Sequence, residues 1–384
     1  MPNQPSIGLV KTQYHTLAAP LILQNGEALT GVRIAYETYG GLNAARDNAV
    51  LVCHALSGDA HSAGYHADAA KPGWWDMMIG PGKGIDTERY FVICANVIGG
   101  CGGTTGPSSL NPSAGRPFGS DFPLITVADM VQVQALLLDH LGIDRLHAAA
   151  GGSMGGMQAL QWAVSFPERV GSIAAIATCH RHGAQQIAFN EVGRRAITAD
   201  PEWRGGHYYE GNGPSHGLAV ARMIGHITYL SETGMMAKFG RRVRQTTEDK
   251  FAPAYEVETY LTYQGESFVQ RFDANSYLYI TKALDTFDLA AESGSLEAAL
   301  RPYKGRILLV SFSSDWLYPP AQAKEIARAA RRAGGDATYC EIQSDYGHDA
   351  FLLENGRLAP LVAGFLAHST PGGTLSPDLS YPVS

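Results

Sequence analysis

Gly151-Gly152-Ser153-Met154-Gly155 is a G-x-S-x-G pattern, preceded by a short apolar run at 146–150 and followed by a helix-like stretch to Phe166. A serine so placed sits at the apex of a sharp strand-to-helix turn, with its hydroxyl presented as a nucleophile. Backbones pack closely around such a turn, and glycine supplies both the room and the permissive dihedrals. In a chain with 44 glycines the pattern alone carries little weight. The bland alternative is a glycine-rich turn whose serine merely caps the helix. The strand before and the helix after favour the nucleophile.

A serine nucleophile needs an acid and a base, which on this architecture follow it in the chain order serine, acid, histidine. Arg306-Ile307-Leu308-Leu309-Val310-Ser311-Phe312 is a compact apolar run fit for a buried parallel strand. It ends in Ser313-Ser314-Asp315-Trp316, which puts Asp315 at a strand's carboxyl end. Helical spacing at 321–333 and a strand-like run at 338–342 lead into Ser344-Asp345-Tyr346-Gly347-His348-Asp349, making His348 the expected base. Asp345 and Asp349 flank the histidine, but neighbours in sequence rarely fold back onto the same ring. Asp288 has no strand before it. Singly, Asp315 reads as a turn residue and His348 as a solvated loop residue; in order, each after its own strand, they argue for a triad.

An oxyanion hole combines the amide after the nucleophile with one from the loop after an early strand. The strand is 49–53 and the loop His54-Ala55-Leu56-Ser57-Gly58, so the N–H groups of Leu56 and Met154 are the candidates. His54, His61 and His66 invite a metal reading, but their spacings match no zinc signature, and no metal is expected. His54 is read as ordering the loop through hydrogen bonds.

These residues need a scaffold, and its elements are readable. Strand-like runs lie at 32–39, 49–53, 90–95, 146–150, 172–177, 307–312 and 338–342, with helical patterns at 127–141, 157–166 and 321–333. Such alternation implies an α/β fold with a mainly parallel sheet covered on both faces. Between about 180 and 302 strand signals fade and helical segments take over. This is read as a helical lid inserted between the fifth and sixth of those parallel strands. The domain reading is a core of 1–179 and 303–369, a lid of 180–302, and an extended or disordered tail of 370–384.

Composition narrows the function classes. With 384 residues, 45% apolar, 17% charged and a net charge of −7, the chain is a poor electrostatic partner for nucleic acid or an anionic membrane. The basic cluster Arg241-Arg242-Val243-Arg244 reads as a solvated helix face. The five cysteines, Cys53, Cys94, Cys101, Cys179 and Cys340, are scattered, which suggests a reducing compartment. Cys101 has reactive potential in its glycine-rich loop but no base nearby in sequence. Met1-Pro2-Asn3-Gln4-Pro5 has no basic start followed by an apolar core, so no signal peptide is evident. The uncharged stretch 146–167 carries too many glycines and polar groups for a membrane span. The loop 99–106 does not fit the G-x-G-x-x-G of a dinucleotide site.

The chain resembles the homoserine O-acyltransferases of the α/β-hydrolase superfamily. The resemblance runs through the elbow 151–163, Gly73-Trp-Trp-Asp76, Gly80-Pro-Gly-Lys83, Thr104-Thr-Gly-Pro-Ser-Ser109, Phe189-Asn-Glu-Val192, residues 221–229, Phe272-Asp-Ala-Asn275 and residues 347–352, and covers about 10 to 367. It implies the α/β-hydrolase fold, with Ser153 as nucleophile, Asp315 as acid and His348 as base. It further implies that Arg222 and Asp349 hold the amino-acid acceptor and that Tyr229 lines its site. The residue types suit this, since a guanidinium can take a carboxylate bidentately and a carboxylate can hold an ammonium. Without the resemblance, Arg222 reads as a surface lid residue and Tyr229 as core.

The implied enzyme is a cytoplasmic homodimer of methionine biosynthesis, joined through lid helices, with no resident cofactor and acetyl-coenzyme A as co-substrate. Acetyl would pass to the hydroxyl of L-homoserine by a ping-pong acyl-serine route. Arg241–Arg244 then has an alternative role against coenzyme A phosphates. Ser57-Gly-Asp-Ala-His61 looks like the acetyl-using branch of the family, while 221–230 and 272–278 are shared with the succinyl-using branch. The alternatives are a succinyl donor, a serine acceptor one methylene shorter, and an esterase-type hydrolase that needs no acceptor clamp. A binding protein on a degenerate fold would be expected to have lost a triad member, and none is missing.

Overall fold

A computed structural model describes residues 6–244 and 251–368. The tail read at 370–384 and the first five residues, where a signal-peptide start was sought, lie outside the described residues. The central sheet has eight strands: β1 (Gln13–Thr16), β2 (Arg33–Tyr39), β3 (Ala49–Cys53), β4 (Phe91–Ala95), β5 (Leu146–Gly152), β6 (Val170–Ile176), β7 (Arg306–Phe312) and β8 (Asp336–Ile342), in the order β1-β2-β4-β3-β5-β6-β7-β8. From β4 to β8 all neighbours are parallel. All five residues of β3 are buried, as expected where both faces of a sheet are covered. Leu51, Ile93, Ala149, Ile173 and Leu309 join the core on one face, and Val50, Val92, Ala148, Ala174 and Leu308 the core on the other.

The run at 32–39, expected among the parallel strands, is antiparallel to both its neighbours. A connection as short as 40–48 reverses the chain, whereas a parallel return needs a crossover of about a dozen residues or more. The helical insertion therefore follows the fourth strand of the parallel set, not the fifth. Strand β1, absent from the expectation, is mostly exposed and shows no apolar pattern.

Helix α1 (Val127–Leu141) starts at a capping box between Thr126 and Asp129 and stops at Gly142, whose φ is 66°. Helix α2 (Met154–Ser165) starts directly after Ser153, which has φ 59° and ψ −123°. That is a sparsely populated conformation for a residue with a side chain. The Ser153 N–H donates to the Ile176 carbonyl at 2.9 Å, and its own carbonyl accepts from Thr178 Oγ1 at 2.8 Å.

The insertion holds α3 (Ala184–Ala199), α4 (Ser215–Tyr229), α5 (Glu232–Phe239), α6 (Glu256–Val269) and α7 (Ala274–Thr286). Helix α4 packs between α3 and α6 and rests on the turn Gly347–Asp349. A Cβ on Gly217 would lie 2.4 Å from the Ala196 carbonyl oxygen, so glycine sets the close α3–α4 approach. The cluster Arg241–Arg244 is not a helix face. Helix α5 stops at Gly240 with φ 53°, Val243 then bridges to Tyr255, and Arg242 pairs with Glu256 at 2.7 Å. Beyond the insertion, α8 (Leu296–Leu300) packs on α2 and α9 (Pro320–Arg332), and α10 (Ala350–Leu353) and α11 (Asn355–Ala367) complete the described chain. No single helix among the described residues is long and apolar enough to cross a membrane.

The elbow rests on two close approaches: a Cβ on Gly151 would lie 2.6 Å, and one on Gly155 2.0 Å, from the Cys53 carbonyl oxygen. Gly155→Ala is expected to lose at least the roughly 1–3 kcal/mol typical of overpacking. Gly364→Ala, in helix α11 with nothing within 4 Å of the new methyl, is expected to gain about 0.4–1 kcal/mol. Thermal denaturation checks the pair; equal melting temperatures would contradict this account of the elbow.

Candidate active site

Three chain segments converge at the carboxyl ends of the parallel strands. Ser153 sits at the apex between β5 and α2 and is mostly buried. Asp315 follows β7, its Oδ1 accepting from the backbone N–H groups of Leu317 at 3.0 Å and Tyr318 at 2.8 Å. His348 lies in the turn after β8, where Gly347 has φ 66° and donates its N–H to Ser314 Oγ at 2.9 Å. His348 Nδ1 and Asp315 Oδ2 are 2.8 Å apart, with side-chain exposures of 4% and 0%. An imidazole so held keeps its proton on Nδ1 and leaves Nε2 as its base. The rival acids are placed otherwise. Asp288 faces Arg181 at 3.9 Å and caps Ala290 N–H, and Asp345 is exposed.

Leu56 and Ser153 line one cavity of about 50 Å³. Met154 is the first residue of α2, so its N–H lies among the amides a helix leaves without an internal partner. His54 Nδ1 contacts the Ala55 carbonyl at 2.8 Å and Nε2 accepts from Val97 N–H at 3.0 Å. These bonds suit a neutral ring, and burial holds its pKa below the usual value. His54 thus ties the loop to the segment after β4. Arg271, which the sequence reading missed, adds a bond from Nη1 to the Ser57 carbonyl at 2.9 Å. It comes from the α6–α7 turn, with no local motif to flag it.

His61 and His66 meet Glu37 of β2. His61 Nδ1 lies 3.0 Å and His66 Nε2 2.7 Å from its two oxygens, which also accept from Thr12 and Tyr39 at 2.9 Å. Burial opposes ionisation of Glu37, but the bonds from His61, His66, Thr12 and Tyr39 outweigh it and hold the pKa at about 2. The three residues are close enough to share a metal ion. Four donors already occupy both carboxylate oxygens, and the group reads as a buried knot anchoring the loop after β3. Cys101 takes a hydrogen bond from Asp273 N–H at 3.4 Å, and burial pushes its thiol up to about 11, which leaves it protonated at neutral pH.

The lid adds a positive charge that has no ion-pair partner among the described residues. The guanidinium of Arg222, on α4, lies 4.6 Å from the Phe268 ring centroid and 5.6 Å from that of Tyr229. Its Nη1 is 3.4 Å from Ser57 Oγ, and its buried Nε has no partner among the described residues. The Tyr229 ring is 6.0 Å from the His348 ring. Asp349 has its carboxyl lifted above the ordinary range by burial, with His348 and Arg222 pulling the other way. A half-buried guanidinium and a half-buried carboxylate, neither in an ion pair among the described residues, suit a zwitterionic ligand.

The sequence reading also missed Tyr318, His182 and Asp285. His182 Nε2 meets the Tyr318 hydroxyl at 2.7 Å and Nδ1 meets Asp285 at 3.1 Å. Partners more than a hundred residues apart leave no spacing signal. A larger groove of about 710 Å³ runs along α4 and α5 beside Trp316, but no triad residue lines it.

The α/beta hydrolase fold family model matches residues 48–355. A homoserine O-acetyltransferase of Methanohalobium evestigatum is 54% identical over 377 residues, which cover 98% of this chain and 77% of that protein. The crystal structure of homoserine O-acetyltransferase from Bacillus anthracis superposes with a TM-score of 0.87 at 32% identity, covering 93% of this chain and 98% of that one. A crystal structure of an esterase superposes almost as well, with a TM-score of 0.86 at 30% identity, covering 93% and 100%. Matches of this extent make the chain an acyltransferase, a member of the homoserine O-acetyltransferase family on the α/β-hydrolase fold.

Proposed function

We propose that the protein transfers an acetyl group from acetyl-coenzyme A to the hydroxyl of L-homoserine through an acyl-serine intermediate. The observation that carries this is a pair of opposite charges without an ion-pair partner among the described residues: Arg222, whose guanidinium reaches Ser57 of the loop that holds Leu56, and Asp349, next to His348 in the chain. The fold does not separate a transferase from an esterase, since the two solved relatives superpose equally well. An acceptor clamp does.

In the first half-reaction Ser153 Oγ attacks the thioester carbonyl while His348 Nε2 takes its proton. Asp315 holds the imidazole tautomer and stabilises the imidazolium. The Leu56 and Met154 amides donate to the tetrahedral oxyanion. The thioester bond breaks and the thiolate leaves with the proton from His348. In the second half Arg222 takes the homoserine carboxylate and Asp349 the ammonium, with Tyr229 lining the site. His348 removes the proton of the acceptor hydroxyl, whose oxygen collects the acetyl group; the acyl–Ser153 bond breaks and Ser153 Oγ takes the proton from His348. Transfer outruns hydrolysis because the acceptor is held in attack geometry under the lid.

The Methanohalobium relative is named an O-acetyltransferase, and a succinyl carboxylate would need a cationic partner of its own beside the acyl carbon. This supports acetyl over succinyl. The same reading has the protein working in the cytoplasm, in methionine biosynthesis, without a resident cofactor, as a homodimer through its lid. Lid side chains Ile227, Met236 and Tyr263 are exposed at 41%, 61% and 59%, the kind of apolar surface a partner covers.

Ser153→Ala is expected to abolish coenzyme A release, and wild type with donor alone should gain one acetyl group by intact mass. A fully active Ser153→Ala protein would refute the acyl-serine route. Arg222→Ala leaves triad and oxyanion amides in place, so the acylation burst should stay near normal. The second step should slow roughly ten- to hundredfold for a charge-assisted bond of about 1.5–3 kcal/mol. Equal losses in both steps would place Arg222 in the fold or the donor site.

Asp349 supplies a pH signature. Its raised pKa means that acidification protonates it earlier than an exposed carboxylate, and the acceptor ammonium then loses its partner. The KM for homoserine should climb as pH falls through that window, and in Asp349→Asn it should be high and flat. Folding runs the other way: a carboxyl with a raised folded pKa costs stability once ionised, and that cost vanishes below its pKa. Asp349→Asn is therefore expected to melt higher than wild type at neutral pH. A lower melting temperature with an unchanged KM profile would remove Asp349 from the clamp.

A further inference from the structure

We propose that Tyr318 is a positioning residue for the Ser153–His348–Asp315 group, held in place by the lid through His182 and Asp285. The inference rests on the reading of those three residues as a catalytic triad. Tyr318 reaches each of them by a different part of itself. Its backbone N–H donates to Asp315 Oδ1 at 2.8 Å. Its ring packs on the His348 imidazole, centroids 4.9 Å apart and planes inclined by 38°. Its side chain lines the same small cavity as Ser153.

The Tyr318 hydroxyl is committed to the lid. It lies 2.7 Å from His182 Nε2, and His182 Nδ1 lies 3.1 Å from Asp285 Oδ1 on helix α7. The His182 imidazole thus bridges the phenol oxygen and the Asp285 carboxylate through its two ring nitrogens. Burial pushes the Tyr318 pKa far above its usual value, with Cys179, Tyr229 and Asp315 adding to it and a hydrogen bond with Ser153 opposing. The hydroxyl thus stays protonated at working pH.

Asp285 is itself fixed from helix α3. Asn190 Nδ2 donates to it at 2.7 Å, and Arg194 Nη1 lies 2.7 Å from its Oδ2. That last contact is an ion pair without hydrogen-bond alignment, and neither atom has another hydrogen-bond partner. Burial opposes ionisation of Asp285, but bonds from His182, Asn190 and Arg194 with the Arg194 charge hold its pKa below the ordinary value. The side chains of His182 and Asp285 are 2% and 6% exposed. A chain of buried polar contacts therefore runs from two lid helices to the ring that backs the catalytic imidazole. Seating the lid sets the angle of that ring, and misplacement of a reacting group by about 1 Å costs on the order of a hundredfold in rate.

A buried network that only fastened the lid would look similar, so the test uses changes that keep shape. Tyr318→Phe keeps the ring on His348 and the N–H on Asp315; Asp285→Asn keeps the side-chain outline. Rapid-quench acetylation with acetyl-coenzyme A and acceptor-dependent turnover are measured for each variant and for the double variant, with melting temperatures alongside. Tyr318→Phe is expected to slow both half-reactions alike, by roughly ten- to hundredfold, with the homoserine KM unchanged. Asp285→Asn should act in the same direction, and the double variant should be no slower than the worse single one, as members of one relay behave. If Tyr318→Phe melts below assay temperature, Asp285→Asn carries the same comparison. Acylation by Tyr318→Phe at the wild-type rate, losses that multiply in the double variant, or an effect confined to KM would each overturn the proposal. Ser153→Ala separates the two levels. If it stays active the triad reading itself fails; if it is dead while Tyr318→Phe is normal, only the positioning role fails.

Discussion

The backbone of Ser153, held at φ 59° and ψ −123°, is the constraint on which the rest of the site depends. A residue with a side chain in such a region costs about 1–3 kcal/mol and persists only where its surroundings over-determine it. Strands β3 and β6 flank β5 on either side, and both reach the elbow. The Cys53 carbonyl of β3 closes on Gly151 and Gly155, and the Ile176 carbonyl of β6 takes the Ser153 N–H. A Cβ on Gly156 would meet Thr178 at 2.6 Å, while Thr178 Oγ1 holds the Ser153 carbonyl. The sheet order is thus part of the chemistry. Parallel register through Phe312 and Ile342 brings the ends of β7 and β8, and with them Asp315 and His348, to the edge where the hydroxyl emerges.

The lid solves a different problem with the opposite logic. A buried charge without a counter-ion is costly, yet Arg222 sits over two aromatic rings with no carboxylate paired to it among the described residues. Stacking on aromatic faces recovers part of that cost, about 0.5–2 kcal/mol for a contact of this kind. Asp349 is kept near it with a raised pKa. Their mutual attraction is not realised as an ion pair in the free enzyme. On the proposed reading a zwitterionic acceptor supplies both counter-charges, a trade of stability for function.

How far the amino-acid order revealed this depends on the range of each interaction. The apolar runs of β3, β5 and β7 are buried on both faces and were readable as strands, because covering a sheet imposes an unbroken apolar run. Helix α1 was readable to its ends, since Thr126, Asp129 and Gly142 are terminal signals written in the chain. Ser153, Asp315 and His348 each follow a legible strand. Strand β1 was not legible, since it is mostly exposed and held by backbone pairing to β2. The direction of β2 was not legible either, because direction belongs to the connection. At 241–244, charge suggested a helix face, but Gly240 ends the helix first.

The lid chemistry was legible only through resemblance, and the reason is physical. Each triad member is presented by its own strand end, so local sequence carries its placement. Arg271 instead meets Ser57 across 214 residues, and His182 meets Tyr318 across 136. Neither pair shares an element whose periodicity would announce it. Contacts that join lid to core exist only once both have folded. Residues with that property tie the insertion to the core, since no element holds them in place alone.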